Sequence, residues 1–244
     1  MSKFKFETFV FMRRMLHFTL GYKSCMICNT ISPYFICGNC KNLIDRSANI
    51  SRERCMRCGK ILISEKEICT DCRKIQEDQF YLDRNFAIYP YHLWSKKLLY
   101  QWKIKKNRLF GELFAEKVMK VKNQFFPDSP LVPVPPRPNK LEIEGWDQIN
   151  DLSNFLKYRY DVPIQNYLVR TEKRQQKLLS REERLENNDR YRASTTLMKE
   201  EEKPETVVLI DDIYTTGATL KNCAKILKEN GIKNVYGITL FIVE

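Results

Sequence analysis

The chain lacks any apolar run long enough to cross a bilayer, which needs about 20 residues as a helix. Its N-terminal stretch from Phe4 to Phe18 is apolar, but Arg13, Arg14 and His17 interrupt it and no small-residue cleavage site follows. No secretory signal is therefore read there, and a cytoplasmic chain is expected. Glycine is scarce, with 8 residues in 244, beside 43% hydrophobic and 12% aromatic residues. That composition excludes a low-complexity chain and belongs to a soluble globular protein, with one large domain or a medium and a small one. Acidic residues are outnumbered, 30 against 42 basic, for a formal charge of +12. Such a surface favours polyanions or phosphorylated ligands without naming one.

Cysteine is what the chain has in excess. Eight of the nine form four Cys-x-x-Cys pairs between residues 25 and 72, and Cys223 stands alone. In a reducing compartment such pairs bind metal more readily than they form disulfides. Each pair is a knuckle that aims two sulfurs at one point, and two knuckles complete a tetrahedral Cys₄ zinc site. Consecutive pairing gives Cys25, Cys28, Cys37 and Cys40, then Cys55, Cys58, Cys69 and Cys72; a cross-braced pairing would mix the first and third knuckles. Consecutive pairing closes the smaller loops and is preferred. Two structural zincs are expected, each carrying net −2 with its four thiolates, so that the formal +12 falls to +8. Metal would supply the folding energy that so short and apolar-poor a region lacks.

The remaining chain is organised around Val207-Val-Leu-Ile-Asp-Asp-Ile-Tyr-Thr-Thr-Gly-Ala-Thr-Leu220. Val207 to Ile210 read as a strand buried on both faces, ending on Asp211 and Asp212. A hydroxyl-rich turn follows, then a helical pattern from Lys221 to Asn230. Strand, acids, turn and helix form a phosphate site, because the helix N-terminus offers unpaired N–H groups and the threonines add donors. Two carboxylates beside it suit ribose hydroxyls. The plainer alternative is an ordinary strand–turn–helix whose acids merely cap the helix.

Three parts are expected: an amphipathic segment at 1–22, a double Cys₄ region at 23–80, and an α/β domain at 81–244. In the last, strands are read at Phe86–Tyr91, Leu131–Pro135, Tyr167–Val169 and Asn234–Val243. Helices are read at Trp94–Ile104, Leu109–Phe125 and Trp146–Tyr158. Their alternation predicts a mainly parallel sheet with helices on both faces and ligands at the C-terminal strand ends. Asp211, Asp212, the loop Pro135–Pro138 and Arg170 all fall at such ends. Residues 170 to 192 hold eight Lys/Arg and five Asp/Glu, read as an exposed charged segment or as a mobile hood over a pyrophosphate. Tyr89, Tyr91, Trp94 and Trp102 stand near Lys96, Lys97 and Lys103, where they could stack on bases but are more often core.

The stretch from Val207 to Leu220 closely resembles the PRPP-binding motif of type I phosphoribosyltransferases, PRPP being 5-phosphoribosyl-1-pyrophosphate. The resemblance implies that Asp211 and Asp212 meet the ribose 2′- and 3′-hydroxyls. It implies that Tyr214, Thr215, Thr216, Gly217, Ala218 and Thr219 hold the 5′-phosphate, with Arg170 and Arg184 toward pyrophosphate and Mg²⁺ carried with the ligand. Four cysteine knuckles ahead of such a domain are the arrangement of the ComF family of competence-associated proteins, of the ComFC type. Leu131-Val-Pro-Val-Pro135, Gly145-Trp146-Asp147-Gln148 and the series Arg170, Gln176, Leu179-Ser180, Arg184, Asn187, Tyr191 also resemble that family. The resemblance implies a role in natural transformation, with single-stranded DNA and a ComF-type helicase or other processing proteins as partners. It leaves open a phosphoribosyltransferase of unknown acceptor or a non-catalytic binding module. The chain departs from the family pattern at Glu142-Ile143-Glu144, where basic residues are usual, and at Asp147, where Asn is usual. Lys140 and Arg137 are the cations that could offset these acids.

Overall fold

The computed structural model describes residues 3–19, 24–48, 53–75, 80–171 and 190–243. Its centre is a parallel sheet of four strands in the order β1 (Arg84–Pro90), β6 (Asn234–Ile242), β5 (Thr206–Tyr214) and β2 (Leu131–Pro133). The fold is thus α/β with a mainly parallel sheet, as the alternation predicts. Val207 to Ile210 are fully buried, which a central strand covered on both faces requires.

Strand alternation divides the interior into two cores. Val208, Ile210, Ile238 and Leu240 face α5 (Leu109–Phe125) and α7 (Gln148–Tyr160). Val207, Leu209 and Val235 face α9 (Ala218–Glu229) on the other side. The cysteine groups are split between the same two faces. Cys25 and Cys40 belong to the α5 side, with α2 (Gly38–Ser47) inserting Ile44; Cys55, Cys58, Cys69 and Cys72, with α3 (Thr70–Arg73), belong to the α9 side. On the α5 side Asp45 of α2 pairs with Lys117, which is buried. On the other side the Asn85 N–H of β1 donates to Arg57 C=O at 2.8 Å. The Asn85 side-chain amide donates to Cys58 C=O at 2.9 Å and to Thr239 Oγ1 at 3.0 Å. Gly59 stands so close that an added Cβ would lie 2.6 Å from the Asn85 carbonyl oxygen, and its φ of +81° already demands glycine.

The N-terminal helix α1 (Lys3–Thr19) packs on α7 through buried Phe6 and Val10. The Phe6 ring meets Phe155 edge-on at 5.0 Å. No described helix is long and apolar enough to cross a membrane.

Two elements differ from the sequence reading. The helix expected over Trp94–Ile104 divides into α4 (Leu93–Leu99) and a π-helical turn, Tyr100–Ile104. Trp102 on that turn and Tyr89 on β1 are fully buried, so they serve the core and present no stacking surface. The strand expected at Tyr167–Val169 is β3 (Leu168–Arg170), which lies outside the main sheet and pairs antiparallel with β4 (Tyr191–Ala193). The flank of β2 is already taken: Leu131 N–H donates to Pro163 C=O, and Gln165 N–H donates to Leu131 C=O, each at 2.9 Å. Two short helices, α6 (Lys140–Glu144) and α8 (Thr195–Lys199), complete the described elements.

Candidate functional site

A cleft of about 420 Å³ opens at the C-terminal end of the sheet. β5 brings Asp211 and Asp212 to it, and the strand continues past them, with Ile213 and Tyr214 still in register with Phe241 and Ile242 of β6. The loop after β2 supplies Pro135, Pro136 and Arg137; α6 supplies Lys140 and Glu144; β3 and β4 supply Arg170 and Tyr191. Thr215 and Thr219 line it beside the N-terminus of the 12-residue α9. The predicted convergence of the two acids, the proline-rich loop and Arg170 is therefore realised in one cleft.

The acids are wired unequally. Asp212, 5% exposed, accepts Lys103 Nζ at 2.6 Å and Gln148 Nε2 at 2.7 Å on one oxygen. Gln148 Oε1 accepts Lys140 Nζ at 2.7 Å, and the same ammonium lies 2.7 Å from Asp147 Oδ2. Asp147 Oδ1 caps α7, accepting the N–H groups of Ile149 at 3.0 Å and Asn150 at 2.9 Å. An acid at position 147 is thus neutralised twice, by an ammonium and by a helix N-terminus. Among the described residues Asp211 accepts only its neighbour's N–H, donated by Asp212 at 2.8 Å. Burial, and then the charge of Asp212, push the Asp211 carboxyl well above the usual carboxylate range, and Lys103 offsets this only in part.

The hydroxyl-rich loop before α9 is shaped by Gly217, whose φ of +76° opens the first turn of that helix. Thr215, Thr216 and Ala218 are exposed, and Thr216 Oγ1 accepts the Ala218 N–H at 3.4 Å. Tyr214 is turned away from the cleft: it is buried in the α9-side core beneath Gly217. Burial raises its hydroxyl pKa, and the sulfurs of Cys58 and Cys72 add to this. The Arg170 guanidinium lies 5.4 Å above the Tyr191 ring. Arg184, with Gln176, Leu179, Ser180 and Asn187, lies outside the described residues.

Of the acids that replace basic residues in the family pattern, Glu144 lines the cleft and Glu142 does not. Lys103, which the sequence reading sets beside aromatics and not beside the acids, is the site residue it misses. Its lysine-rich setting was visible, but a π turn re-aims a side chain in a way that apolar periodicity does not register.

The cysteine sulfurs form two groups, Cys25/Cys28/Cys37/Cys40 and Cys55/Cys58/Cys69/Cys72, each with all its sulfurs within 4.8 Å of one another. Pairing is therefore consecutive. The groups are built alike. Cys25 C=O accepts Asn29 N–H at 2.8 Å, and Cys55 C=O accepts Gly59 N–H at 3.0 Å, with positive φ at both donors. Cys37 and Cys69 are the N-caps of α2 and α3, and their own N–H groups donate to Cys25 Sγ and Cys55 Sγ, both at 3.3 Å. Four convergent sulfurs with backbone donors fit a closed structural zinc site and leave no ligand position for substrate. Each group could hold one zinc. They differ in exposure: Cys28 is exposed, whereas all four cysteines of the second group are buried.

No family model matches the chain. Among curated proteins it is 28% identical over 211 residues to Competence protein ComFC of Streptococcus pneumoniae, covering 84% of this chain and 86% of that protein. It is 28% identical over 204 residues to Competence protein ComFC of Bacillus subtilis, covering 80% and 79% respectively. It is 26% identical over 206 residues to Competence protein F of Haemophilus influenzae, covering 82% and 87%. Over about four-fifths of its length, and in the motifs quoted above, the chain is thus similar to competence proteins of the ComF type.

Proposed function

We propose that the chain serves DNA uptake, like the competence proteins it resembles, and that its cleft binds PRPP or a related ribose phosphate with Mg²⁺. The observation that carries this reading is a cleft wall where Asp211, Asp212, Thr215, Thr219 and Arg170 stand together beside the N-terminus of α9. Asp211 and Asp212 accept the ribose 2′- and 3′-hydroxyls. The N–H groups and hydroxyls of the Thr215–Thr219 loop hold the 5′-phosphate. Arg170 faces the pyrophosphate, and the family resemblance assigns Arg184 to it as well.

Charge supports the divalent ion. Lys103, Arg137, Lys140 and Arg170 are matched in the lining by Glu144, Asp147, Asp211 and Asp212. Among the described residues the formal charges of this lining cancel, so a pyrophosphate would bring negative charge that a divalent ion could offset. Mg²⁺ would bind chiefly through the ligand's own oxygens, and supplies charge neutralisation there. A site of this kind runs phosphoribosyl transfer when an acceptor is present, and the acceptor is left unassigned. The two cysteine groups hold structural zinc in a region spanning 23–80, between the 1–22 segment and the 81–244 domain, and the protein works in the cytoplasm.

The test is calorimetric titration of the zinc-loaded chain with PRPP, with and without Mg²⁺, beside Asp211→Asn/Asp212→Asn. Saturable, Mg²⁺-dependent binding that the double variant loses is expected. Absence of binding overturns the ribose-phosphate reading and leaves a non-catalytic module for single-stranded DNA or a protein partner.

A further inference from the structure

A second cavity, about 520 Å³ in volume, opens where β1 begins, at the end of the sheet opposite the cleft. Phe86 and Ala87 of β1, Val121 and Phe125 of α5, and Met56 and Leu62 from the second cysteine segment give it an apolar floor. The rings of Phe86 and Phe125 are 4.7 Å apart and inclined at 37°. Its rim carries Arg54, Lys66 and Arg84 against Glu53 and Glu67, three cations to two carboxylates.

Arg84 points to an occupant. Its guanidinium lies 4.6 Å above the Phe86 ring, and its Nε is buried with no hydrogen-bond partner. Among the described residues it forms no ion pair. Burial of Arg84 disfavours its charge, and an anion at the guanidinium would offset that cost. A planar ring suits the floor, since bases stack on aromatic faces and on guanidinium planes. An acyl chain suits it poorly, because Glu53 and Glu67 would be desolvated against it. The same carboxylates accept hydrogen bonds from an exocyclic amino group. The volume lies within the range of small-molecule sites, about 300–1,000 Å³.

We propose that this cavity binds a nucleoside monophosphate bearing an amino group on its base, with the base against the exposed Phe125 ring and the phosphate on Arg84 and Lys66. The site is separate from the ribose-phosphate cleft and does not depend on it.

The test is calorimetric titration of the zinc-loaded full chain with adenosine 5′-monophosphate, beside adenosine and inorganic phosphate. One saturable site is expected, with adenosine and phosphate each at least about tenfold weaker. Lys66→Gln, at an exposed position, and Arg84→Gln each weaken binding about tenfold, the loss of one charge-assisted contact. Asp211→Asn/Asp212→Asn leaves it unchanged. A 5′-phosphorylated adenylate trimer that competes, where its 5′-hydroxyl counterpart does not, assigns the site to strand ends; failure of both trimers to compete assigns it to the free nucleotide. The proposal is overturned if the wild type shows no saturable binding. It is also overturned if the acid variant loses the binding while Lys66→Gln and Arg84→Gln keep it. Zinc loss from Arg84→Gln together with undiminished binding by Lys66→Gln would overturn it too, making Arg84 a counter-charge to the thiolates.

Discussion

Tyr214 lies directly beneath Gly217: a Cβ on Gly217 would stand 2.1 Å from the Tyr214 hydroxyl oxygen and 2.3 Å from the ring carbon that bears it. The ring cannot retreat, because it is 5% exposed and packed in the core that holds the second cysteine group. Gly217→Ala should therefore cost about 1–2 kcal/mol for the left-handed backbone and about 1–3 kcal/mol for overpacking. Adding Tyr214→Phe should recover little, since the ring carbon still clashes. Urea unfolding of the two variants is the check, and a double variant as stable as the wild type would contradict it.

The Lys103–Asp212 pair joins residues 109 positions apart in the chain. Lys103 is 37% exposed and Asp212 only 6% as side chains, so solvent screens the pair in part. Lys103→Met should destabilise by about 1–2 kcal/mol, chiefly by leaving a buried carboxylate without its cation. In an Asp212→Asn background the same change should cost little. A double-mutant cycle measured by denaturant unfolding should give a coupling of about 1 kcal/mol or more, and additivity would refute the pairing.

Asp211 sets a pH slope. Its folded pKa is raised, by burial first and Asp212 second, above an ordinary value of 3.8. Between the two values the folded chain holds a proton that the unfolded chain has released. Stability from this group is thus full below the ordinary value and lost as pH rises through the folded one. Asp211→Asn should raise Tm relative to the wild type at neutral pH, with the gain shrinking toward pH 4. Paired melting curves across that range test the sign. A gain that grows on acidification would be the opposite of what is expected.

The two cysteine groups should release metal at different rates. Metal analysis of reduced protein should find two zincs per chain, and a chelator should remove them in two phases. The faster phase belongs to the group with exposed Cys28. Cys28→Ser should abolish that phase and lower Tm less than Cys58→Ser, whose site carries Asn85 and the start of β1. A chain without zinc, or a single phase in which Cys28→Ser and Cys58→Ser behave alike, would refute the assignment.

Much of this was legible in the sequence. The run Val207–Ile210 is unbroken by polar residues and reads as a strand buried on both faces, which it is. The Cys-x-x-Cys gaps were short enough to favour consecutive pairing, which the sulfurs adopt. Other features depend on tertiary packing. Cysteine spacing says which sulfurs meet, but not that the two groups lie on opposite faces of the sheet. Asp147 reads as added negative charge until Lys140 and the α7 N-terminus are seen beside it. A strand as short as β3 carries no period of its own, so its partner was decided by the segment Pro163–Gln165 occupying the flank of β2.

That occupied flank has a counterpart on the far side, where Arg57 accepts from Asn85. Each outermost strand is thereby masked at these positions, and neither offers a free row of backbone groups to a second molecule there. One mask is ordinary loop, but the other hangs on four cysteines. Stripping metal from the second group would bare the rim of a long hydrophobic strand, so the demetallated chain should aggregate by strand addition before it unfolds fully. Zinc held there would then be a guard on solubility as much as a support for folding.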